Sequence, residues 1–145
     1  MNPNKLPDMV KDICNEYNYP MPSSLSLNNR LKTTLGLCRL PEGSIELNEY
    51  VVLHNPKKVI LALLKHEICH LRHYNHYKDF EVAVTLMGSA LNITSMYPNI
   101  KLPFKYEYRC PNCHNTFYWD KRRNSSCGYC SPDRYNKKFK LRLVQ

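Results

Sequence analysis

Apolar residues recur every three or four positions in two stretches of the chain, and this spacing is typical of helices that bury one face. The first stretch runs from Pro7 to Tyr17, and the run Tyr19–Pro22 that follows is expected to stop the helix. The second runs from Phe80 to about Asn92. We therefore predict one helix near the start of the chain and another in its middle.

Between these helices, apolar and polar residues alternate in three short stretches, as they do in half-buried strands. The stretches are residues 25–27, 31–35 and 44–48, and the turn residues Gly36 and Pro41–Gly43 lie between the second and the third. We predict a small antiparallel sheet. The strand at 44–48 has two interpretations: it borders a cleft, where a peptide could add as a further strand, or it lies inside the sheet.

The most apolar stretch of the chain leads directly into a run of chemically active side chains. Six of the seven residues from 59 to 65 are apolar, and His66-Glu67-Ile68-Cys69-His70 follows them. A helix with this sequence is predicted to be buried. We predict that Asn55 is its N-cap and that Pro56 occupies its first helical position, where the missing N–H of proline loses no hydrogen bond.

On a helix, His66 and His70 stand on one face, one turn apart, so their imidazoles can hold one zinc ion. Glu67 lies beside them, where it can take a proton from a water molecule instead of binding the metal. This is the H-E-x-x-H arrangement of zinc peptidases. The alternative is two surface histidines around an ordinary glutamate. It fits poorly with a buried helix, in which histidine and glutamate need partners.

A catalytic zinc usually takes three protein ligands, and three residues after His70 are candidates for the third. His73 continues the helix face, but it would lie ~10 Å from His66 along the axis at ~1.5 Å per residue. His76 is better placed if the chain leaves the helix and folds back, and it is our choice. Glu81, at the start of the next helix, is a weaker alternative.

The composition indicates a soluble protein. The chain has 145 residues, 43% of them hydrophobic, and none of its apolar runs reaches the ~20 residues of a membrane span. No signal peptide opens the chain, so we expect a cytoplasmic protein, associated with the nucleoid if it comes from a prokaryote or a virus. Three of its seven cysteines, Cys14, Cys38 and Cys69, stand alone among apolar residues and are predicted to pack in the core.

The other four cysteines form two C-x-x-C pairs, Cys110 with Cys113 and Cys127 with Cys130. Each pair can present two thiolates from a tight turn, and four thiolates complete a tetrahedral structural zinc site. Aromatic residues at 117–119 and alternating residues at 139–143 are predicted to supply the strands of a zinc ribbon. With the histidine site, this predicts two zinc ions per chain, one catalytic and one structural.

Positive charge is concentrated at the C-terminal end. The formal net charge is +1 over residues 1–100 and +8 over residues 101–145. Basic side chains neutralise phosphates and exposed aromatics stack on unpaired bases, so we expect this segment to bind DNA, with a preference for single strands. The predicted contact residues are Lys121, Arg122, Arg123, Arg134, Lys137, Lys138, Tyr118 and Trp119.

Taken together, these features resemble the SprT family, which includes the Spartan DNA-dependent proteases. The matching stretches are residues 35–38, 43–48, 63–70 and 76–80, together with the two C-x-x-C pairs. The resemblance covers roughly residues 25–145. It implies His66, His70 and His76 as zinc ligands and Glu67 as general base. It also implies cleavage of proteins bound or crosslinked to DNA, and hence a role in DNA repair.

We therefore predict an α+β fold in which a small zincin-like metalloprotease domain, with helices and a short antiparallel sheet, occupies residues 1–100. A four-cysteine zinc ribbon occupies residues 101–145. The predicted activity is that of a zinc metalloendopeptidase, and we expect a monomer that acts on DNA-bound proteins and not at a membrane. The alternative is a nucleic-acid-binding adaptor in which both zinc sites are structural and no proteolysis occurs.

Overall fold

The computed structural model describes residues 1–103, 106–119 and 121–144. The chain forms two units, Met1–Leu102 and Pro103–Gln145. The helices of the first unit are α1 (Leu6–Tyr17), α2 (Glu49–His54), α3 (Lys57–Cys69), α4 (Lys78–Leu86) and α5 (Ile93–Met96). Its strands are β1 (Ser24–Asn28), β2 (Gly36–Arg39) and β3 (Ser44–Asn48). No helix in the described ranges is long and apolar enough to cross a membrane.

The first helix follows its apolar periodicity. In α1 one face is buried, and its core residues recur at the predicted spacing of three and four: Leu6, Met9, Val10, Ile13 and Cys14. The helix ends where Asn18 adopts a left-handed conformation with φ of 58°. Asparagine tolerates that conformation better than most residues, which makes it a suitable helix stop.

The sheet of the first unit has the order β1-β3-β2, so β3 is its central strand. Strand β3 pairs in parallel with β1 and antiparallel with β2, so the sheet contains one parallel pair beside the predicted antiparallel one. Ile45 and Leu47 of β3 are fully buried. Of the two interpretations of residues 44–48, the interior one is therefore correct, and β1 and β2 are the two edge strands.

Residues 31–35 do not form the predicted strand. The buried side chain of Asn48 holds them as a loop, because its amide nitrogen donates to three of their carbonyls, those of Leu31, Lys32 and Thr34, at 3.1–3.2 Å. The same side chain caps α2 through Oδ1, which accepts from the Val51 N–H at 3.3 Å. A single asparagine therefore fixes both a loop and a helix start that the alternation of residues did not reveal.

The start of α3 differs from the prediction by one residue. Helix α3 begins at Lys57, so Pro56 precedes it and Asn55 does not cap it. The Asn55 side chain instead donates to the carbonyls of Val51 and Lys101 and accepts from the Lys101 N–H, at 2.8–2.9 Å. It therefore ties the end of α2 to the end of the unit.

The helix predicted from Phe80 to about Asn92 is shorter. Helix α4 ends at Leu86, and Gly88 follows with a φ of 80°, a left-handed conformation that favours glycine and ends helices. Ser89 then donates from its hydroxyl to the Ala62 carbonyl on α3 at 2.7 Å. The chain is thus turned toward α3 before the short helix α5 begins.

The second unit is a small three-stranded sheet with a cysteine cluster. Its strands are β4 (Tyr106–Arg109), β5 (Thr116–Trp119) and β6 (Arg142–Leu143), in the order β5-β4-β6, and both pairings are antiparallel. Residues 137–139 form a 3-10 helix, so the strand predicted for residues 139–143 is reduced to Arg142–Leu143. The predicted α+β class, with short antiparallel pairings and a four-cysteine cluster near the C-terminus, is confirmed.

Candidate functional site

Three histidines meet at the end of the buried helix α3. His66 and His70 lie one turn apart, and the segment between α3 and α4 brings His76 back against them. The ring nitrogens His76 Nε2 and His70 Nε2 are 3.0 Å apart, and one nitrogen of each of the three rings lies within 4.8 Å of the others. The structure thus brings together the three residues predicted as ligands of the catalytic zinc.

Backbone carbonyls set the orientation of two of these rings. His66 Nδ1 lies 3.0 Å from the Ala90 carbonyl, and His70 Nδ1 lies 2.9 Å from the His73 carbonyl. A carbonyl only accepts, so each Nδ1 must carry the proton and donate it. The Nε2 lone pairs are consequently left free, which is the tautomer that a metal-binding histidine needs. The donor set fits zinc, which binds imidazole nitrogen readily.

Burial favours the neutral forms of His66 and His70. Burial lowers the pKa of His66 to about 4, and it also lowers the pKa of His70. The ring of Phe80 stacks on His70, with centroids 4.4 Å apart, and also contacts His66 and His76 edge-on or tilted. At neutral pH, therefore, protons do not compete with a cation for the ring nitrogens of His66 and His70.

Glu67 lies beside the histidines in an apolar environment. Only 4% of its surface is exposed, and burial raises the pKa of its carboxyl to about 8. A carboxyl group with a raised pKa holds a proton more readily, which suits a group that accepts and returns one. Cys38, predicted to be a core residue, is only half-buried and lies near Glu67; burial, and then the Glu67 charge, raise its pKa to about 11. Cys14 and Cys69 are buried as predicted.

The two alternative third ligands lie outside the histidine cluster. The His73 Nδ1 pairs with the Asp79 carboxylate at 3.1 Å, because α3 has ended before it and its ring turns toward the start of α4. Glu81 is exposed in the first turn of α4. Asp79 also accepts a hydrogen bond from the Phe80 N–H at 3.0 Å, so it connects the segment that carries His76 to α4.

Two adjoining grooves share Gly36, His66, Glu67 and His76. The first, of about 370 Å³, is also lined by Leu37, Cys38, His70, Tyr74 and Asn75. The second, of about 440 Å³, has an apolar part formed by Leu35, Leu63, Leu91 and Ile93. Glu67 is the only Asp, Glu, Lys or Arg among the described residues that line either groove.

The four cysteines of the second unit converge as well. The sulfur atoms of Cys113 and Cys127 are 3.5 Å apart and those of Cys110 and Cys130 are 3.8 Å apart. Sulfurs bound tetrahedrally at ~2.3 Å to one zinc ion stand ~3.8 Å apart, whereas a disulfide requires ~2.05 Å. The main-chain N–H of Asn115 is the main cause that lowers the pKa of Cys113, which favours its thiolate. These residues fit a structural zinc site.

A basic groove of about 770 Å³ crosses the second unit. Its lining includes the buried side chains of Tyr108 and Leu141. Six basic residues line it: Arg122, Arg123, Lys137, Lys138, Lys140 and Arg142. Four of the six are among the predicted nucleic-acid contacts. Lys140 and Arg142 lie in the same groove, since the bridge between Ser126 and Lys140 and strand β6 carry them to it.

The remaining predicted contacts lie elsewhere on this unit. Lys121 and Arg134 are exposed but do not line the groove. Trp119 is half-buried against Tyr108 and Phe117, with the Arg123 guanidinium 5.0 Å from its ring centroid. Tyr118 is half-buried and donates to Glu107 at 3.4 Å. The two aromatics therefore pack within the unit, and Tyr129 and Tyr135 are more exposed.

Comparison with known proteins identifies the type of fold and the family. The metallopeptidase zymogen abylysin of Pyrococcus abyssi has a similar structure, with a TM-score of 0.55 at 20% identity over 66% of this chain and 90% of that chain. At this identity the likeness shows the fold alone, and that fold is of the metallopeptidase type. Residues 8–95 match the model of the SprT-like family, and the chain belongs to this family.

Curated bacterial relatives agree with this assignment. A protein described as "Protein SprT-like" from Bacillus velezensis is 27% identical over 141 residues, covering 90% of this chain and 95% of the relative. One of the same description from Geobacillus kaustophilus is 30% identical over 122 residues, covering 77% and 82%. The predicted resemblance to the SprT family is thereby confirmed.

The motifs did not identify every residue of the site. Gly36 was predicted only as a turn, yet it lines both grooves. Asn75 lines the first groove, and Asp79 holds His73. The short interval from His70 to His76 is a signal that could have drawn attention to Asn75, since every residue in a tight connection between two predicted ligands lies close to the site. Gly36 and Asp79 lie outside that interval.

Proposed function

We propose that this chain is a zinc-dependent endopeptidase that associates with DNA, preferentially single-stranded, through its second unit and cleaves proteins bound or crosslinked to it. One observation carries the catalytic part: a buried glutamate adjoins three histidines whose ring nitrogens converge. A purely structural metal site has no use for a carboxyl group in that place, where its burial destabilises the charged form.

The chemistry follows from the roles that these side chains can take. A zinc ion held by His66, His70 and His76 would polarise the scissile carbonyl and make a water molecule more acidic. Glu67 accepts the proton of the attacking water and passes it to the leaving amine. Tyr74, which lines the first groove, can donate its hydroxyl proton in a hydrogen bond to the carbonyl oxygen as negative charge develops there.

The grooves favour an endopeptidase over an exopeptidase. An exopeptidase must bind a terminal ammonium or carboxylate, which requires an opposite charge at a fixed distance from the metal. In the described parts of both grooves, only Glu67 is a charged residue of the Asp, Glu, Lys and Arg class, and the proton transfer engages it. The outer edge of β2 also lies beside this site, where an extended substrate can add as a further strand.

The basic groove supports the association with nucleic acid. Six basic side chains around one groove form a positively charged surface that suits a phosphate backbone. Its concave lining also includes the exposed side chain of Leu143, which gives a bound strand apolar surface as well. DNA bound to one unit raises the local concentration of DNA-bound proteins at the other, because one chain carries both.

The direct test measures cleavage of casein, and of the chain itself, with and without single-stranded DNA. We expect slow cleavage alone and faster cleavage with DNA, and chelation of zinc should abolish both. DNA binding without any proteolysis, by protein that holds its full zinc content, would instead favour the adaptor function. The structure gives a specific reason to test the adaptor function, because the basic groove contains none of the residues of the histidine site.

A further inference from the structure

Gly36 begins the edge strand β2 at the point where that strand meets Glu67. A Cβ atom built on Gly36 would lie 3.1 Å from both Cγ and Oε1 of Glu67, and 3.2 Å from the main-chain oxygen of Glu46. Ordinary contacts of a Cβ atom are longer, at about 3.5–4.0 Å between carbon atoms. Because glycine has no side chain, this space is available to the side chain of Glu67.

The requirement at this position is spatial, which distinguishes Gly36 from the other glycines. Gly43 and Gly88 have φ angles of 73° and 80°, so backbone conformation explains them. Gly36 does not adopt a positive φ of this kind, and a Cβ atom on Gly128 would meet nothing within 4 Å. Gly128→Ala is accordingly a matched control, since it adds the same methyl group in open space.

Of the neighbours that such a methyl group would meet, the Glu67 side chain is the one that can move. The Glu46 oxygen belongs to β3, which is hydrogen-bonded to strands on both sides. The main chain of Glu67 lies within α3 between two buried residues, His66 and Ile68, so it is held in place by their packing. Rotation about the side-chain bonds of Glu67 is then the available relief, and it carries the carboxylate away from its place.

We propose that Gly36 is a positioning residue: by lacking a side chain it seats the Glu67 carboxylate between β2 and the metal ligands. This inference rests on the proposed function, because it assigns Gly36 a role through the proposed general base. It also makes a purely structural statement, that Gly36 and Glu67 are coupled in stability, which holds whether or not the chain cleaves peptides.

The catalytic test compares Gly36→Ala with Gly128→Ala in the full-length, zinc-loaded chain. For Gly36→Ala we expect kcat to fall about 10-fold, less than the ~10²-fold that a displacement of ~1 Å can cause, because relief of these contacts requires a shift of a few tenths of an ångström, with KM and zinc content unchanged. Gly128→Ala should keep the wild-type kcat. An unchanged kcat in Gly36→Ala, or a loss that zinc release fully explains, would overturn the proposal.

The structural test does not depend on activity. Glu67→Ala removes two of the three atoms that the new methyl group would meet, so Gly36→Ala should lower the Tm of the zinc-free protein less in the Glu67→Ala background than in wild type. If Gly36→Ala alone does not fold, restoration of folding by Glu67→Ala supports the proposal. Equal losses in the two backgrounds, or no restoration, would contradict it. Absence of proteolysis by the wild type, with this coupling intact, would refute the proposed function alone.

Discussion

Burial of Glu67 couples the stability of the N-terminal unit to pH. Its folded-state pKa is raised from 4.5 to about 8 by burial, so between these values the folded state binds more protons at this site than the unfolded state. The stability that Glu67 contributes through its bound proton is therefore fully present below pH 4.5, and it is lost as the pH rises through about 8. In the zinc-free protein we expect this loss to be visible.

The variant Glu67→Gln removes that titration while keeping the shape. The Tm of zinc-free Glu67→Gln, relative to zinc-free wild type, should rise between pH 5 and pH 9 by ~4 °C or more, the shift that ~1 kcal/mol produces in a domain of this size. Far-UV circular dichroism measures it, since the described α-helices all lie in the first unit. A difference in Tm that stays constant with pH would contradict the burial of an ionisable Glu67.

Asp79 is expected to hold His76 in place, because it connects the segment that carries His76 to α4. It binds the His73 ring, whose own main-chain oxygen accepts from His70, and it caps the Phe80 N–H. Asp79→Asn should weaken zinc binding at the histidine site ~10-fold or more, the usual effect of losing a partner that orients metal ligands. Zinc affinity by chelator competition is the measurement. Glu81→Gln removes the same charge in the same helical turn and should leave the affinity unchanged.

At the scale of elements, the structural zinc is expected to hold the second unit together. A segment of ~40 residues buries too little apolar surface to be stable by itself, so metal binding supplies part of its folding free energy. Cys127→Ser should lower the zinc content from two ions per chain to one and expose Trp119 to solvent, as its fluorescence would report. The helices of the first unit should remain folded. A content of two ions in this variant would mean that the four cysteines do not form the site.

Those elements whose residues carry their own pattern were predictable from the sequence. Helix α1 has its apolar spacing, α3 its apolar run, and β3 its alternation. The motif likewise placed Glu67 between two histidines. The predictions that failed depended on effects other than the spacing of apolar residues. Asn48 holds residues 31–35 as a loop through tertiary hydrogen bonds, and Gly88 ends α4 early through its left-handed φ.

The residues of the site also divide into those that the sequence pattern predicted and those that it did not. The choice of His76 over His73 rested on the length of a helix, which the sequence expresses through its spacing. The role of Gly36 could not be derived in that way, because it depends on the approach of a strand to a helix about thirty residues further on. The basic groove combines residues that lie far apart in sequence, from Arg122 to Arg142, so the charge total was predictable and the groove was not.

At the scale of the whole molecule, the concentration of charge in residues 101–145 predicts where DNA binds. The double variant Arg122→Glu, Lys137→Glu reverses two charges inside the groove. It should weaken binding of single-stranded DNA and lower the salt dependence of the affinity by ~0.7 in log–log slope for each phosphate that the groove no longer neutralises. Fluorescence anisotropy across a salt series measures both.

The matched control for the groove is Lys121→Glu, Arg134→Glu, which changes the net charge equally at exposed positions outside it. We expect a smaller loss of affinity in this control. Equal losses in the two double variants would mean that DNA responds to the total charge of the unit and not to the groove.

Removal of residues 104–145 should abolish most DNA binding and all stimulation of proteolysis by DNA, while slow DNA-independent cleavage persists.

The central claim is that Glu67 acts as the base of a zinc peptidase, and the most direct measurement compares the casein-cleaving rate of wild type and Glu67→Gln at equal zinc content. Glutamine keeps the shape but cannot accept the proton, so the rate should fall ~10²–10⁴-fold with two zinc ions per chain retained. Glu42→Gln, which changes an exposed carboxylate in a turn, should keep the wild-type rate. A Glu67→Gln variant that holds its zinc and cleaves casein at the wild-type rate would contradict the account.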